Sequence, residues 1–238
     1  MKPFRTHLQE RQYSGISPDM TPCQILSQRN PPLAKSDFSP FKGISIYDMN
    51  DQLRIFIVDL KSWIMGQMNA PEQDMVADRI FNVVDGCPTR AGWTKYTGKV
   101  YRGLVKSDAD MKANFKFERV VNVTMLGKPV LCAVGTYDYS PKRTAQSWSR
   151  KIDLASGFSV RAWENQSAIV LETDIRADGV RLDHLGGAMS EEEIILKPKS
   201  GRYRCYVLLH GRTSNRNYMS DFVWDLVPPE VRAIRYPS

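Results

Sequence analysis

The stretch "MSEEEIILKPKSGRYRCYVLL", residues 189–209, sets three consecutive glutamates against an apolar run. Acidic residues are depleted in strands, and like charges at neighbouring positions repel. The glutamates therefore read as the end of a loop, and Ile194, Ile195 and Leu196 as the strand they enter. A second strand, "RYRCYVLL", follows the turn "KPKSG". Its period of two puts Tyr203, Cys205, Val207 and Leu209 on one face and Arg202 and Arg204 on the other, toward water. Cys205 is then a small core residue. A charge run of this kind is ordinarily a solvated loop, and only the rest of the chain gives the glutamates a further task.

Upstream, the same period recurs. "GKVYRGLV" is short, apolar-rich and bounded by glycine. "FERVVNVTML" and "KPVLCAVGTY" flank Gly127 as a hairpin, and "SAIVLETDI" is a further strand. Before them the period is helical. Leu53, Phe56, Leu60, Trp63 and Ile64 recur at helical spacing behind a cap at Asn50 or Asp51. "APEQDMVADRIFNVVDG" predicts a second helix, with Pro71 in its first turn and Gly86 at its end. Its buried stripe is expected at Met75, Ile80, Val83 and Val84. Residues 1–45, interrupted by Pro18, Pro22, Pro31, Pro32 and Pro40, read as a polar arm with little regular structure. Residues 46–213 form the main domain. Residues 214–238 form a tail that packs the segment "DFVWDLVPPE" back onto it. Helices first and mostly antiparallel strands afterwards predict an α+β fold.

The chain has 238 residues, 42% of them hydrophobic, which suffices for one good core. No apolar run is long enough to span a bilayer, and the start "MKPFRTHLQERQYSG" has no apolar signal core. Both point to a cytoplasmic protein without membrane attachment. Cys23, Cys87, Cys132 and Cys205 form no CxxC pair, and His7, His184 and His210 make no ligand spacing with them. Neither a zinc site nor a disulfide framework is expected, so the thiols are read as reduced. With no Ser–His or Cys–His arrangement, His184 and His210 are read as structural. The net charge of +7 is spread along the chain. It attracts acidic surfaces without specifying nucleic acid, since no zinc finger, RRM signature or heptad repeat accompanies it.

Three segments stand in a telling order: "VYRGL" with Arg102 in a strand; "SWSRKIDLASGFSVR" with Ser147, Ser149, Ala155, Phe158 and Arg161; and "EEEIIL" with Glu191 and Glu193 two apart. In that order they resemble the arginine–serine–glutamate class of mono-ADP-ribosyltransferases, which includes clostridial binary-toxin catalytic domains and small bacteriophage enzymes. The class pattern is an aromatic–Arg strand, a Ser-Thr-Ser strand and a Glu/Gln-x-Glu loop entering aliphatics. The resemblance covers roughly residues 48–212, and the short basic chain looks most like the phage members. It departs at Trp148, where the class has Thr; strand alternation turns that residue away from the site.

The resemblance implies helices packed on a two-sheet, mostly antiparallel core, with NAD as substrate and no metal. It implies transfer of ADP-ribose to a protein arginine, with release of nicotinamide through an oxocarbenium-like transition state. Glu193 then stabilises the sugar's positive charge, and Glu191 orients the acceptor guanidinium and takes its proton. Arg102 grips the NAD phosphates, with Arg161 as a second contact. Ser147 holds Glu193, and Ser149 lines the NAD site with it. Phe158 walls the nicotinamide, Gly103 lets backbone approach its amide, and "GGAMS" (186–190) forms a mobile loop over the acceptor. Glu192 is left to solvent. The implied protein is a monomer acting on host proteins, among which nucleic-acid-associated ones such as ribosomal or polymerase components suit its charge. Two other readings stay open: an NAD glycohydrolase or transferase to a non-arginine acceptor, and a basic nucleic-acid-binding module.

Overall fold

The computed structural model describes residues 19–27, 47–65, 68–87, 95–125, 127–159, 166–181, 193–209 and 221–232. These fall into two compact units, one holding the N-terminal helices and the other the sheet from Lys95 onward. No helix among the described residues is long and apolar enough to cross a membrane.

The first unit contains α1 (Pro22–Ser27), α2 (Asp51–Met65) and α3 (Ala70–Gly86). Asn50 caps α2, its Oδ1 accepting from the Leu53 amide at 2.9 Å. Asn69 and Glu72 close a capping box on α3, at 3.0 and 3.1 Å. Leu53, Phe56, Leu60 and Trp63 are buried as their spacing predicts; the side chain of Ile64 lies outside the described residues. On α3 the stripe is Val76, Ala77, Ile80, Phe81 and Val84, and Met75 is 52% exposed. The expectation for Met75 is corrected because a residue five positions before Ile80 lies well off its face, whereas 76 and 77 share it. Asp59, buried, receives both ends of the Arg79 guanidinium at 2.6 and 2.7 Å.

Two expectations for the N-terminal region are revised. Helix α1 lies inside the stretch read as an arm. Its start carries a box of its own, Thr21 accepting from the Gln24 amide at 3.2 Å and Gln24 from the Thr21 amide at 2.7 Å, with Pro22 in the first turn. The remainder of residues 1–45 lies outside the described residues. The expectation of four reduced thiols is also corrected: Cys23 and Cys87 form a disulfide across a sequence separation of 64. Spacing hid this pair, because α1 and the end of α3 meet only in the folded unit. Cys132 and Cys205 are free and buried.

The second unit is built on β1 (Lys95–Ser107), β2 (Phe115–Met125), β3 (Lys128–Tyr139), β4 (Gln146–Ser149), β5 (Gln166–Arg181), β6 (Glu193–Leu196) and β7 (Gly201–Leu208). Among them lie α4 (Asp108–Asn114), α5 (Ile152–Ser159), α6 (Asp221–Leu226) and α7 (Pro229–Arg232). All pairings are antiparallel, in the order β1-β4-β6-β5-β7-β3-β2 with a further β1–β5 ladder. This is the expected α+β architecture. The seven strands join as one hydrogen-bonded network because β1 and β5, 13 and 16 residues long, each reach both halves. The β2–β3 hairpin turns at Gly127, whose φ of 71° suits glycine. Strands β6 and β7 follow each other in sequence, yet β5 lies between them.

Alternation along the strands sorts the core into two layers. Ile169, Leu171, Cys205 and Val207 join Trp148, Ile194 and Leu196, with Val223 and Val227 of the C-terminal segment against them. Ala168, Val170, Val134 and Leu208 join Ala155 of α5 on the other face. Helix α4, which hydrophobic periodicity did not single out, is capped by Ser107, whose Oγ accepts from the Asp110 amide at 3.3 Å.

Candidate active site

The register carries the resemblance's residues into one row. Tyr101 of β1 pairs with Ser149 of β4, and Ser149 pairs with Glu193 of β6. Directly paired residues project from the same face, so Tyr101, Ser149 and Glu193 stand side by side across three strands. Ser147, two positions along β4, shares that face and pairs with Ile195. Ser149 is thus the direct neighbour of Glu193, and Ser147 a diagonal one within reach of a long side chain. Trp148 turns the other way, 2% exposed, and stacks on Tyr203 with ring centroids 5.9 Å apart.

Helix α5 follows β4 directly. Ser149 Oγ accepts from the Lys151 amide at 3.1 Å, and the Ala155 amide donates to the Lys151 carbonyl at 3.2 Å. Its approach to β1 requires glycine at 103. A Cβ there would lie 1.9 Å from the Ala155 carbonyl oxygen and 3.1 Å from the Ser159 amide nitrogen. Gly103 therefore lets backbone meet backbone, and the partner is α5. The docked helix presents Phe158, 54% exposed.

These residues enclose a cleft of about 180 Å³, lined by Tyr101, Arg102, Gly103, Ser147, Trp148, Ser149, Ala155, Phe158 and Glu193. Arg102 alternates with Tyr101 and Gly103, and its long side chain reaches the main chain of β4, where Nη1 donates to the Ser147 carbonyl. Its Nε is buried without a hydrogen-bond partner among the described residues. Burial lowers the pKa of the guanidinium, the nearby Tyr139 opposes that, Arg143 adds to it, and Glu193 acts with Tyr139. The cleft is consequently bipolar. A desolvated cation meets β4 at Ser147 and a carboxylate stands opposite Ser149, two residues or about 7 Å farther along the strand.

Of the residues singled out in the sequence, Arg102, Gly103, Ser147, Ser149, Phe158 and Glu193 come together here. Glu191, Arg161, Glu192, His184, His210 and the 186–190 loop lie outside the described residues. One carboxylate escaped the sequence reading. Glu172 of β5 pairs with Tyr101 and is buried, held by Lys99 Nζ at 2.7 Å and the Tyr206 hydroxyl at 2.7 Å. The hydrogen bond to Glu172 raises the pKa of Lys99. Burial first, then the Glu172 charge, raise that of Tyr101. The available signal was an acid inside the apolar run "SAIVLETDI", where strands are depleted of acids. Among the described residues, no cluster of three or more histidines, cysteines or acids is placed to hold a metal.

No family model matches the chain, and no curated protein matches it. Among solved structures, Vis toxin, an ADP-ribosyltransferase from Vibrio Splendidus, is similar at 19% identity with a TM-score of 0.33. The likeness covers 76% of this chain and 66% of that one.

Proposed function

We propose that the chain is an NAD-dependent mono-ADP-ribosyltransferase acting on protein arginine. The observation that carries this reading is the bipolar cleft, with the Arg102 cation and the Glu193 carboxylate at its two ends and the exposed ring of Phe158 beside them. NAD supplies a ribose C1′ bonded to a cationic nicotinamide on one side and a diphosphate on the other. A half-buried arginine whose buried Nε has no hydrogen-bond partner among the described residues suits a phosphate oxygen, because charge-assisted bonds gain strength as solvent is reduced. A cleft of about 180 Å³ is below the roughly 300–1,000 Å³ typical of drug-sized ligands. It suits the ring-and-sugar half of a dinucleotide, with the rest along the rim.

In this reading Glu193 stabilises the positive charge that grows on the ribose as the C1′–N bond breaks and nicotinamide leaves with the electron pair. Ser149, directly across from Glu193, and Ser147 hold that carboxylate. Phe158 walls the nicotinamide, and Arg102, with Arg161, binds the phosphates. Glu191 orients the acceptor guanidinium and takes the proton it loses as its nitrogen bonds to C1′. The net charge of +7 favours acceptors on nucleic-acid-associated host proteins, as suits a phage-type effector.

Labelled NAD, a bacterial lysate and mass spectrometry of the labelled peptides test the reading. Label on arginine supports it. Nicotinamide release with no protein label would make the chain an NAD glycohydrolase. Salt-sensitive RNA or DNA binding without NAD turnover would favour a nucleic-acid-binding module.

A further inference from the structure

We propose that Arg143, on the loop between β3 and β4, is a second anion-binding residue at the Arg102 end of the cleft, taking one phosphate of a diphosphate donor whose other phosphate Arg102 holds. The proposal rests on the function proposed above and adds a residue that the resemblance does not supply. The loop 140–145 is short and its ends are pinned. Tyr139 and Gln146 flank it, the Tyr139 hydroxyl donating to Gln146 Oε1 at 2.5 Å, and Ala145 is fully buried. Lys142 and Arg143 are exposed at its crest. Ser147, whose carbonyl takes the Arg102 guanidinium, follows Arg143 by four positions. The loop therefore delivers its cations to that end of β4.

Arg143 makes no hydrogen bond or ion pair among the described residues, so it has no evident structural task there. Its charge nevertheless acts on Arg102, lowering the proton affinity of a guanidinium that burial already depresses. Bringing a second like charge near a half-buried guanidinium costs free energy unless an anion joins them. Tyr139 and Glu193 offset part of that cost, but Glu193 pairs across from Ser149 rather than Ser147. Two guanidinium forks are suited to adjacent phosphates, since each binds oxygens bidentately. Lys142, next to Arg143 and likewise exposed, is not among the leading groups acting on Arg102 and serves as the internal control.

The test uses the full chain and titrates NAD, inorganic pyrophosphate and nicotinamide riboside into wild type, Arg143→Gln, Arg143→Lys and Lys142→Gln. Arg143→Gln is expected to weaken NAD and pyrophosphate about tenfold, a typical loss for a charged hydrogen bond near solvent. The loss should shrink as salt rises and be partly restored in Arg143→Lys. Nicotinamide riboside, which lacks phosphate, should bind all variants equally, and thermal stability should not move because the side chain is exposed. If wild type binds NAD and Arg143→Gln binds it equally well, the proposal is overturned while the transferase reading stands. If wild type binds pyrophosphate but not NAD, the transferase reading falls. An Arg143→Gln loss of pyrophosphate would then still uphold the anion site, and unchanged binding would overturn it. Binding of neither probe by wild type overturns both.

Discussion

Replacing Gly103 by alanine puts a methyl group where α5 already stands. The added Cβ would lie 1.9 Å from the Ala155 carbonyl oxygen and 2.9 Å from its carbon, and neither backbone atom can rotate away. Real Cβ contacts essentially never fall below 3.0 Å, so β1 and α5 must separate by at least 1.1 Å, the difference between 3.0 and 1.9. Overpacking of this kind costs about 1–3 kcal/mol, which lowers the melting temperature by several degrees in a chain of this size. The functional effect should be larger than the thermal one. Helix α5 begins at the Ser149 hydroxyl and carries Phe158 into the cleft, and a misplacement of about 1 Å costs on the order of a hundredfold in rate. Gly157, on the same helix with nothing within 4 Å of its would-be Cβ, is the control. Alanine there should be neutral or stabilise by up to about 1 kcal/mol. The assay pairs thermal unfolding with nicotinamide release for both variants. Gly103→Ala with wild-type stability and turnover would refute the close α5–β1 contact and with it the position given to Phe158.

Cys23→Ser should destabilise the helical unit by about 4 kcal/mol, the chain-entropy value for a loop of this length, since the bridge spans a sequence separation of 64. Thiol titration of unreduced protein that finds four free cysteines would contradict the bridge itself. Arg102→Ala should weaken NAD binding tenfold or more and also loosen the β1–β4 junction, because the Ser147 carbonyl loses its donor; unchanged affinity would move the phosphate contact to Arg161 or Arg143. Glu191→Gln should abolish arginine labelling while nicotinamide release persists, and Glu192→Gln should change neither. Loss of labelling in Glu192→Gln alone would shift the register of the glutamates by one.

Local chemistry was the part of the fold most legible from residues alone. The period-two runs located the hairpin at Gly127 and strands β6 and β7, and α3 runs from Ala70 to Gly86, the span of "APEQDMVADRIFNVVDG". Helix α1 was missed because its prolines outweighed the Thr21–Gln24 box, although Pro22 in a first turn favours a helix. What a linear reading does not contain is long-range pairing. Nothing near Cys23 indicates Cys87, nothing in "KPKSG" reveals that β5 separates the strands it joins, and nothing in "LETD" indicates that Glu172 meets Lys99 and Tyr206. The candidate site was legible as residue types at set distances along the chain. Only the register showed that Ser149, rather than Ser147, lies directly opposite Glu193, and only the close approach of α5 explains Gly103.

The most direct test of the proposed chemistry is nicotinamide release from NAD by wild type and Glu193→Gln, each shown to be folded by thermal unfolding. Removing the carboxylate that faces the developing sugar charge is expected to slow release by about a hundredfold or more, the scale of deleting one preorganised electrostatic stabiliser. A folded Glu193→Gln protein that releases nicotinamide at a rate near wild type would contradict the role given to this cleft.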